Sequence, residues 1–453
     1  MNELEYKKES FYDRFGSDEL AKAFEYAKGY MAFLDAAKTE REAVKYAIAE
    51  AIKQGFVPYN FGDTPKKGGK YYYDNRGKNL FLFTIGSEPI ENGMRISAAH
   101  IDSPRIDLKQ CPLYEDGGMG FFKTHYYGGI RKYQWVATPL ALHGVIALAN
   151  GEVLDISIGE SEDDPLFYIN DLLPHLGQDQ SKLPLSEGIK GEQLNILVGS
   201  RPYGEDNSVK LGVLKLLNEK YGICEEDFLS AELCVVPAAK ARDIGFDRSL
   251  IGAYGHDDRV CAYPALTALL ECTDSEHTIM CILADKEETG SDGPTGMQCD
   301  LMLDIINELA TNLGGNSAAV RANSMCLSAD VSAAYDPNFP EVFEKQNTPL
   351  LGCGAVFTKF TGSRGKSSTN DANAEFIGKL RAMLARDGVV WQAGELGKVD
   401  CGGGGTVAKY ISKHNIETID LGVPVISMHA PYEVISKVDI YETYRALRAF
   451  YKY

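Results

Sequence analysis

The sequence contains no Cys-x-x-Cys pair, no repeat, no low-complexity segment and no run of apolar residues long enough to span a bilayer. Its ten cysteines are scattered, and several, such as Cys281 and Cys326, sit inside apolar runs. That usage fits buried thiols in a reducing compartment and excludes a disulfide framework or a cysteine zinc site. The opening Met1-Asn-Glu-Leu-Glu-Tyr-Lys-Lys has no apolar h-region, so a cytoplasmic location is expected. Positive charge is also scarce: 46 Lys and Arg face 64 Asp and Glu, a net charge of -18, which argues against nucleic acid or an anionic membrane as partner. What is present is ordinary for a soluble globular protein, 44% hydrophobic and 24% charged residues. At 453 residues the chain exceeds one ordinary core, and two domains are expected.

Residues 17 to 54 read as two helices. The second has a capping box at Thr39-x-x-Glu42, an apolar face of Val44, Ile48 and Ile52, and a stop at Gly55. Strands are expected at Lys70 to Tyr73 and Asn79 to Ile85, joined by the turn Asp74-Asn75-Arg76-Gly77, and at Met94 to Ala99. Between about Lys109 and Lys240 the texture becomes β-rich, with strands such as Ala141 to Leu148 and Glu152 to Ile158 and one helix near Ser208 to Tyr221. This stretch, 109–240, is read as an insertion into a domain formed by 1–108 and 241–453. After Asp243 strands and helices alternate again up to a closing amphipathic helix, Lys437 to Tyr451. The rhythm implies an α/β fold: a mixed, mostly parallel sheet with helices on both faces, plus the inserted β-rich domain.

The apolar run Thr278 to Leu283 leads into Ala284-Asp285-Lys286-Glu287-Glu288-Thr289-Gly290-Ser291. Two adjacent carboxylates at a strand end repel each other. A divalent cation on one, with the other left to accept a proton, relieves that repulsion. Three further strand ends carry ligand-type residues: His100 with Asp102, Asp330, and His429; Asp257 stands at a helix start. C-terminal ends of parallel strands converge on one crevice. Two histidines and three carboxylates suit a pair of borderline divalent ions such as zinc, with one carboxylate bridging. A carboxylate two residues after His100 is placed to fix the imidazole tautomer. Metals about 3.5 Å apart activate a shared water, the chemistry of a co-catalytic hydrolase.

With these motifs the chain resembles the aspartyl aminopeptidase and vacuolar aminopeptidase family of dinuclear zinc exopeptidases, from about Phe11 to its end. The landmarks are Ala99-His100-Ile101-Asp102-Ser103-Pro104, Gly255-His256-Asp257-Asp258-Arg259, Glu287-Glu288-Thr289-Gly290-Ser291, Ser328-Ala329-Asp330 and Ser427-Met428-His429. The resemblance implies that His100 and Asp330 hold one zinc, Glu288 and His429 the other, and Asp257 bridges them. It makes Asp102 the residue that orients a ligand and Glu287 the general base; the sequence alone does not order the glutamate pair. Asp258 is read as a structural neighbour paired with Arg259. The resemblance also implies that a histidine of the inserted domain reaches the active site of a neighbouring subunit. His175, in Pro165-Leu-Phe-Tyr-Ile-Asn-Asp-Leu-Leu-Pro174-His175-Leu176, is the candidate, with His125 and His143 in the same domain. A homo-oligomer built from dimers, twelve subunits in all, is part of the same implication.

Lys359 and Arg364 fall where aspartyl-specific members have a basic stretch and are candidates for binding a substrate acid. Here the family's His-rich segment after Asp330 is replaced by Phe343-Glu344-Lys345-Gln346-Asn347, and Asp257 is followed by Asp-Arg in place of Asn. The metal chemistry survives these departures, and the preferred N-terminal residue stays open. The loop Cys401-Gly402-Gly403-Gly404-Gly405 lacks the Gly-Lys-Ser/Thr ending of a phosphate cradle and is read as a turn that allows its backbone to approach the substrate. Three functions are compatible with this set: a metal-dependent aminopeptidase acting on peptides with two divalent ions, zinc or else manganese or cobalt; a dinuclear deacylase or amidase of small molecules; and a catalytically silent cage-forming shell.

Overall fold

The computed structural model describes residues 4–453. The chain divides into two compact units. One runs to Asp102, resumes from Ala241 to Met428 and ends with Glu433–Tyr453; the other comprises Ser103–Lys240 and His429–Tyr432. The strand Arg105–Asp116 pairs with Met119–Tyr127 and Ala231–Pro237, inside the second unit's own sheet.

The first unit is built on a nine-stranded sheet. Its order is Val57–Pro58, Lys70–Asn75, Asn79–Thr84, Ile279–Ala284, Arg95–His100, Met325–Ala329, Glu417–Gly422, Ala355–Thr358, Trp391–Ala393. The four central strands, Ile279–Ala284 to Glu417–Gly422, are mutually parallel, with antiparallel neighbours on either side. These central strands are buried along their lengths, as near-continuous apolar runs in a covered sheet must be. Alternate residues feed two cores. Leu283, Leu327, Ala329 and Leu421 face a core shared with the helices Ser17–Ala36, His256–Glu271 and Lys437–Tyr451, while Ile96, Ala98, Met280 and Ile282 face one shared with Leu301–Asn312. Helices thus cover both faces, as expected. Among the described residues, no helix is long and apolar enough to cross a membrane.

The capping box at Thr39 and Glu42 is formed, and it starts the helix Glu40–Lys53. The buried face of that helix is Ala43, Val44, Ala47 and Ala51, with Ile52 exposed. The face inferred from Val44, Ile48 and Ile52 is rotated from the true one because small alanines, invisible to a search for large apolar residues, allow the closest approach. A further five-stranded sheet, not anticipated, joins Arg242–Ile244, Leu250–Ala253, Glu433–Ser436, Pro424–Ile426 and Ser332–Ala333. Its strands have two to four residues, too short to carry a period.

The second unit is a seven-stranded, wholly antiparallel sheet with the helix Val209–Tyr221, capped by Ser208, as its main helix.

Candidate metal centre

The register of the parallel strands sets the site. Ala284 pairs with His100 across the sheet, and Ser328 pairs with Ala98, so the residues leaving these strands emerge at one level. The chain after Ala284 turns through Lys286, in the left-handed region at φ 70°, into a single 3-10 turn, Glu287–Thr289. Both glutamate N–H groups of that turn donate to one carboxylate: Glu287 N–H to Asp102 Oδ1 at 3.1 Å and Glu288 N–H to Asp102 Oδ2 at 3.2 Å. Asp102, fully buried, also fixes the imidazole, since His100 Nδ1–H donates to the Asp102 carbonyl at 2.9 Å and lies 3.4 Å from its carboxylate. The other nitrogen, Nε2, is thereby directed at carboxylates. Asp257 Oδ1 is 3.1 Å away, Asp330 Oδ1 3.8 Å and Glu287 Oε2 4.0 Å.

Asp257 reaches this point from a differently built segment. The strand Leu250–Ala253 ends at Tyr254, and Gly255 takes φ 74°, where an added Cβ would lie 1.4 Å from the Arg259 guanidinium. Arg259 is wrapped over that turn and donates to the carbonyls of Gly255 and Tyr254. Its bonds are to backbone, which corrects the expected pairing with Asp258. Asp258 instead turns into the cluster, fully buried, with neither carboxylate oxygen meeting a hydrogen-bond donor at normal geometry. The peptide between Asp257 and Asp258 is cis.

Three sets of side chains offer ligand atoms within 4.8 Å of one another: His100 with Glu287 and Asp330, His100 with Asp257 and Glu288, and Asp257 with Asp258 and Asp330. All belong to the first unit. So many buried carboxylates cannot all carry charge unrelieved. Burial, reinforced by Asp258, pushes the Asp330 carboxyl well above its usual range, and burial together with Asp257 does the same to Asp258. Burial works against a charged His100, but its bonds to Asp102 and Asp257 outweigh it and hold the ring well above the ordinary histidine value. A divalent cation relieves the repulsion among carboxylates packed this closely, and the nitrogen-and-oxygen donor set fits zinc.

His429 does not directly follow a strand of the parallel sheet. The strand Glu417–Gly422 ends at Gly422; the next, Pro424–Ile426, belongs to the five-stranded sheet, and His429 follows in the left-handed region at φ 66°. It is grouped with the second unit, and its Nδ1–H donates to the Gly129 carbonyl at 2.7 Å. In that tautomer the ligating lone pair is on Nε2.

Within the second unit, His143 is buried with Nε2 3.0 Å from Glu160 Oε1, and His125 donates from Nδ1 to the Tyr126 carbonyl. His175 sits in the exposed 3-10 turn Pro174–Leu176. Lys359, half-exposed at the end of Ala355–Thr358, pairs with Asp371, as does Lys366; Arg364 lies between them in an exposed turn at φ 53°. In the Cys401–Gly405 loop, Gly403, at φ 126°, lies where an added Cβ would be 1.9 Å from the Gly362 carbonyl, and Gly362 N–H donates to the Gly404 carbonyl.

Residues 33–451 match the sequence model of the aminopeptidase I zinc metalloprotease family, M18. The chain belongs to the M18 family. It is 48% identical to a probable M18 family aminopeptidase 1 of Clostridium acetobutylicum, over 99% of both chains, and 46% identical to that of Thermotoga maritima, over 94% of this chain and 95% of the relative. The crystal structure of an M18 aminopeptidase from Thermotoga maritima superposes with a TM-score of 0.94 at 43% identity, covering 99% of this chain and all of that one. Aminopeptidase I of Clostridium acetobutylicum gives 0.92 at 44%, over 99% of both. The mApe1 dodecamer of Saccharomyces cerevisiae shares the fold, with a TM-score of 0.77 at 21% identity, over 94% of this chain and 96% of that one. This M18 chain is accordingly a metalloaminopeptidase, a hydrolase of the exopeptidase kind. Of the three readings open to the sequence, the family carries that one.

Proposed function

We propose that the chain removes N-terminal residues from peptides with two divalent ions, zinc in the first instance, held by His100 and Asp330 on one side, Glu288 and His429 on the other, and Asp257 between. The observation that carries this reading is the meeting of His100, Glu288 and Asp330, which end or follow parallel strands, with Asp257 from a helix start, and with Glu287 4.0 Å from the same imidazole nitrogen. The His429 tautomer set by Gly129 supports Nε2 as a ligand atom. When bound, the ions would supply Lewis acidity toward the scissile carbonyl and lower the pKa of a water.

The chain's own groups do the rest. Glu287, part-buried beside the cluster, accepts a proton from the attacking water and returns it to the leaving amine. Asp102 holds the turn that carries both glutamates by taking their N–H groups; the order, Glu288 as ligand and Glu287 as base, is the one the family resemblance implies. Lys359 and Arg364 are the cations available to a substrate acid, although Asp371 already occupies Lys359. His175 would hold the substrate carbonyl of a neighbouring subunit. Its surroundings support burial in an assembly: Leu172, Leu173, Leu176, Leu183 and Leu185 are all exposed, Leu176 by 70%. A homo-oligomer built from dimers, of up to twelve subunits, would cover them. The reducing compartment suggested by ten cysteines, none in a disulfide, is the place where peptides from protein turnover are met.

Metal analysis of the purified protein tests the proposal, with about two divalent ions per chain expected. A chelator-treated, metal-free protein that still cleaves aminoacyl-anilides at the untreated rate would refute it.

A further inference from the structure

The shared ligand Asp257 is not held by its own helix. It begins His256–Glu271, where the first N–H groups have no partner within the helix, and its backbone N–H donates to Glu433 Oε2 at 3.1 Å. Glu433 is 1% exposed and opens the strand Glu433–Ser436, directly across from Ala253 in the ladder that ends at the Asp257 turn. The preceding residue is held just as closely. His256 is fully buried and uses both ring nitrogens: Nε2–H donates to the Ile251 carbonyl at 3.1 Å, and Nδ1 accepts from the Tyr30 hydroxyl at 2.7 Å. A carboxylate that must reach two ions tolerates little movement of its backbone.

We infer that Glu433 is a positioning residue for the metal centre: its carboxylate, as acceptor of the Asp257 N–H, sets where Asp257 presents its oxygens, with the Tyr30–His256 bond bracing the other side. The inference rests on the reading of Asp257 as shared ligand. Glu433 reaches Asp257 only because the short strands Leu250–Ala253 and Glu433–Ser436 lie side by side, which joins residues 176 positions apart.

Titration of cobalt(II) into chelator-stripped enzyme, followed by its visible spectrum and by equilibrium dialysis, tests this. Glu433→Gln keeps the length and an acceptor oxygen and should bind cobalt within about threefold of the parent, with the same spectrum. Glu433→Asp keeps the charge but is one methylene short of the N–H, and should lose about tenfold or more in affinity with an altered spectrum. Tyr30→Phe should give a smaller loss in the same direction. An Asp variant with parental affinity and spectrum, or a Gln variant as impaired as Asp, would overturn the inference. Asp257→Asn is the control for the underlying reading. If it binds cobalt as the parent does, the assignment of the shared ligand fails, whatever the Glu433 variants show.

Discussion

The two units treat polar side chains in opposite ways. In the first, His100, Asp102 and Asp330, which end or follow parallel strands, are buried together with Asp257 and Asp258 from the start of the helix His256–Glu271. In the second, the histidines are dispersed: one is paired with Glu160, one bonded to its neighbour's carbonyl, one exposed among exposed leucines, and His429 bonded to the Gly129 carbonyl. A parallel sheet directs every strand end to the same edge, so it concentrates function. An antiparallel sheet distributes its ends and instead offers surface. The difference puts the candidate metal cluster in the first unit and the exposed leucines around His175 in the second.

The sharpest way to break that comparison is Asp257→Ala, which should release metal and abolish turnover. Retained metal by elemental analysis would show that the cluster is not the site. Next, Glu287→Gln should keep its metal while kcat falls by about 10²–10⁴-fold. Retained turnover would reverse the roles of Glu287 and Glu288. His175→Ala should lower kcat by about 10²–10³-fold with metal content unchanged, and mixing it with Glu287→Gln subunits should restore part of the activity if the histidine acts across subunits. An unaltered rate would remove His175 from the mechanism.

Smaller effects concern stability. Leu309, fully buried in the first unit, should cost about 2–5 kcal/mol when cut to Ala. Leu176→Ala should stay within about 0.5 kcal/mol in the isolated subunit, a contrast visible in denaturant unfolding. A further effect is in pH. Burial, opposed by the N–H groups of Gly352 and Gly354, raises Asp439 in the first unit to about 8. A folded value above the unfolded one means that the native state holds the extra proton, so this contribution is fully present below the unfolded pKa and is lost as pH rises through about 8. Melting temperature should therefore decline as pH rises from the ordinary carboxylate range to about 8 and level off above it, and Asp439→Asn should flatten the decline. The second unit's Asp164 has the opposite sign, lowered by backbone N–H groups of Ser161 and Gly159.

Much of this was legible along the chain. The turn at Asp74–Gly77, the helix Lys437–Tyr451 and the strand leading to Glu287 follow from turn chemistry and periodicity, because each depends on neighbours within a few residues. His100, Asp257, Glu288 and Asp330 could be picked out because ligand-type residues directly after apolar strands are an uneconomical use of such residues unless they meet. Asp258 was misplaced beside Arg259, since adjacency in sequence says nothing about which way a turn sends two side chains. Glu433 and the Tyr30–His256 bond were missed because strands of four residues carry no period and a single buried carboxylate has no local signature.

By itself the sequence determined which residue types stand at the strand ends, and therefore that a cation of nitrogen-and-oxygen preference is the natural occupant. The tertiary structure alone decided that His100 faces Asp257 at 3.1 Å, that Asp102 collects both glutamate N–H groups, and that His429 lies on a separate segment bonded to Gly129. Ligand type is a local property of the side chain. Which atoms share one charge-dense space is set by strand register and by turns at Gly255 and Lys286, and those are fixed only when the sheets close.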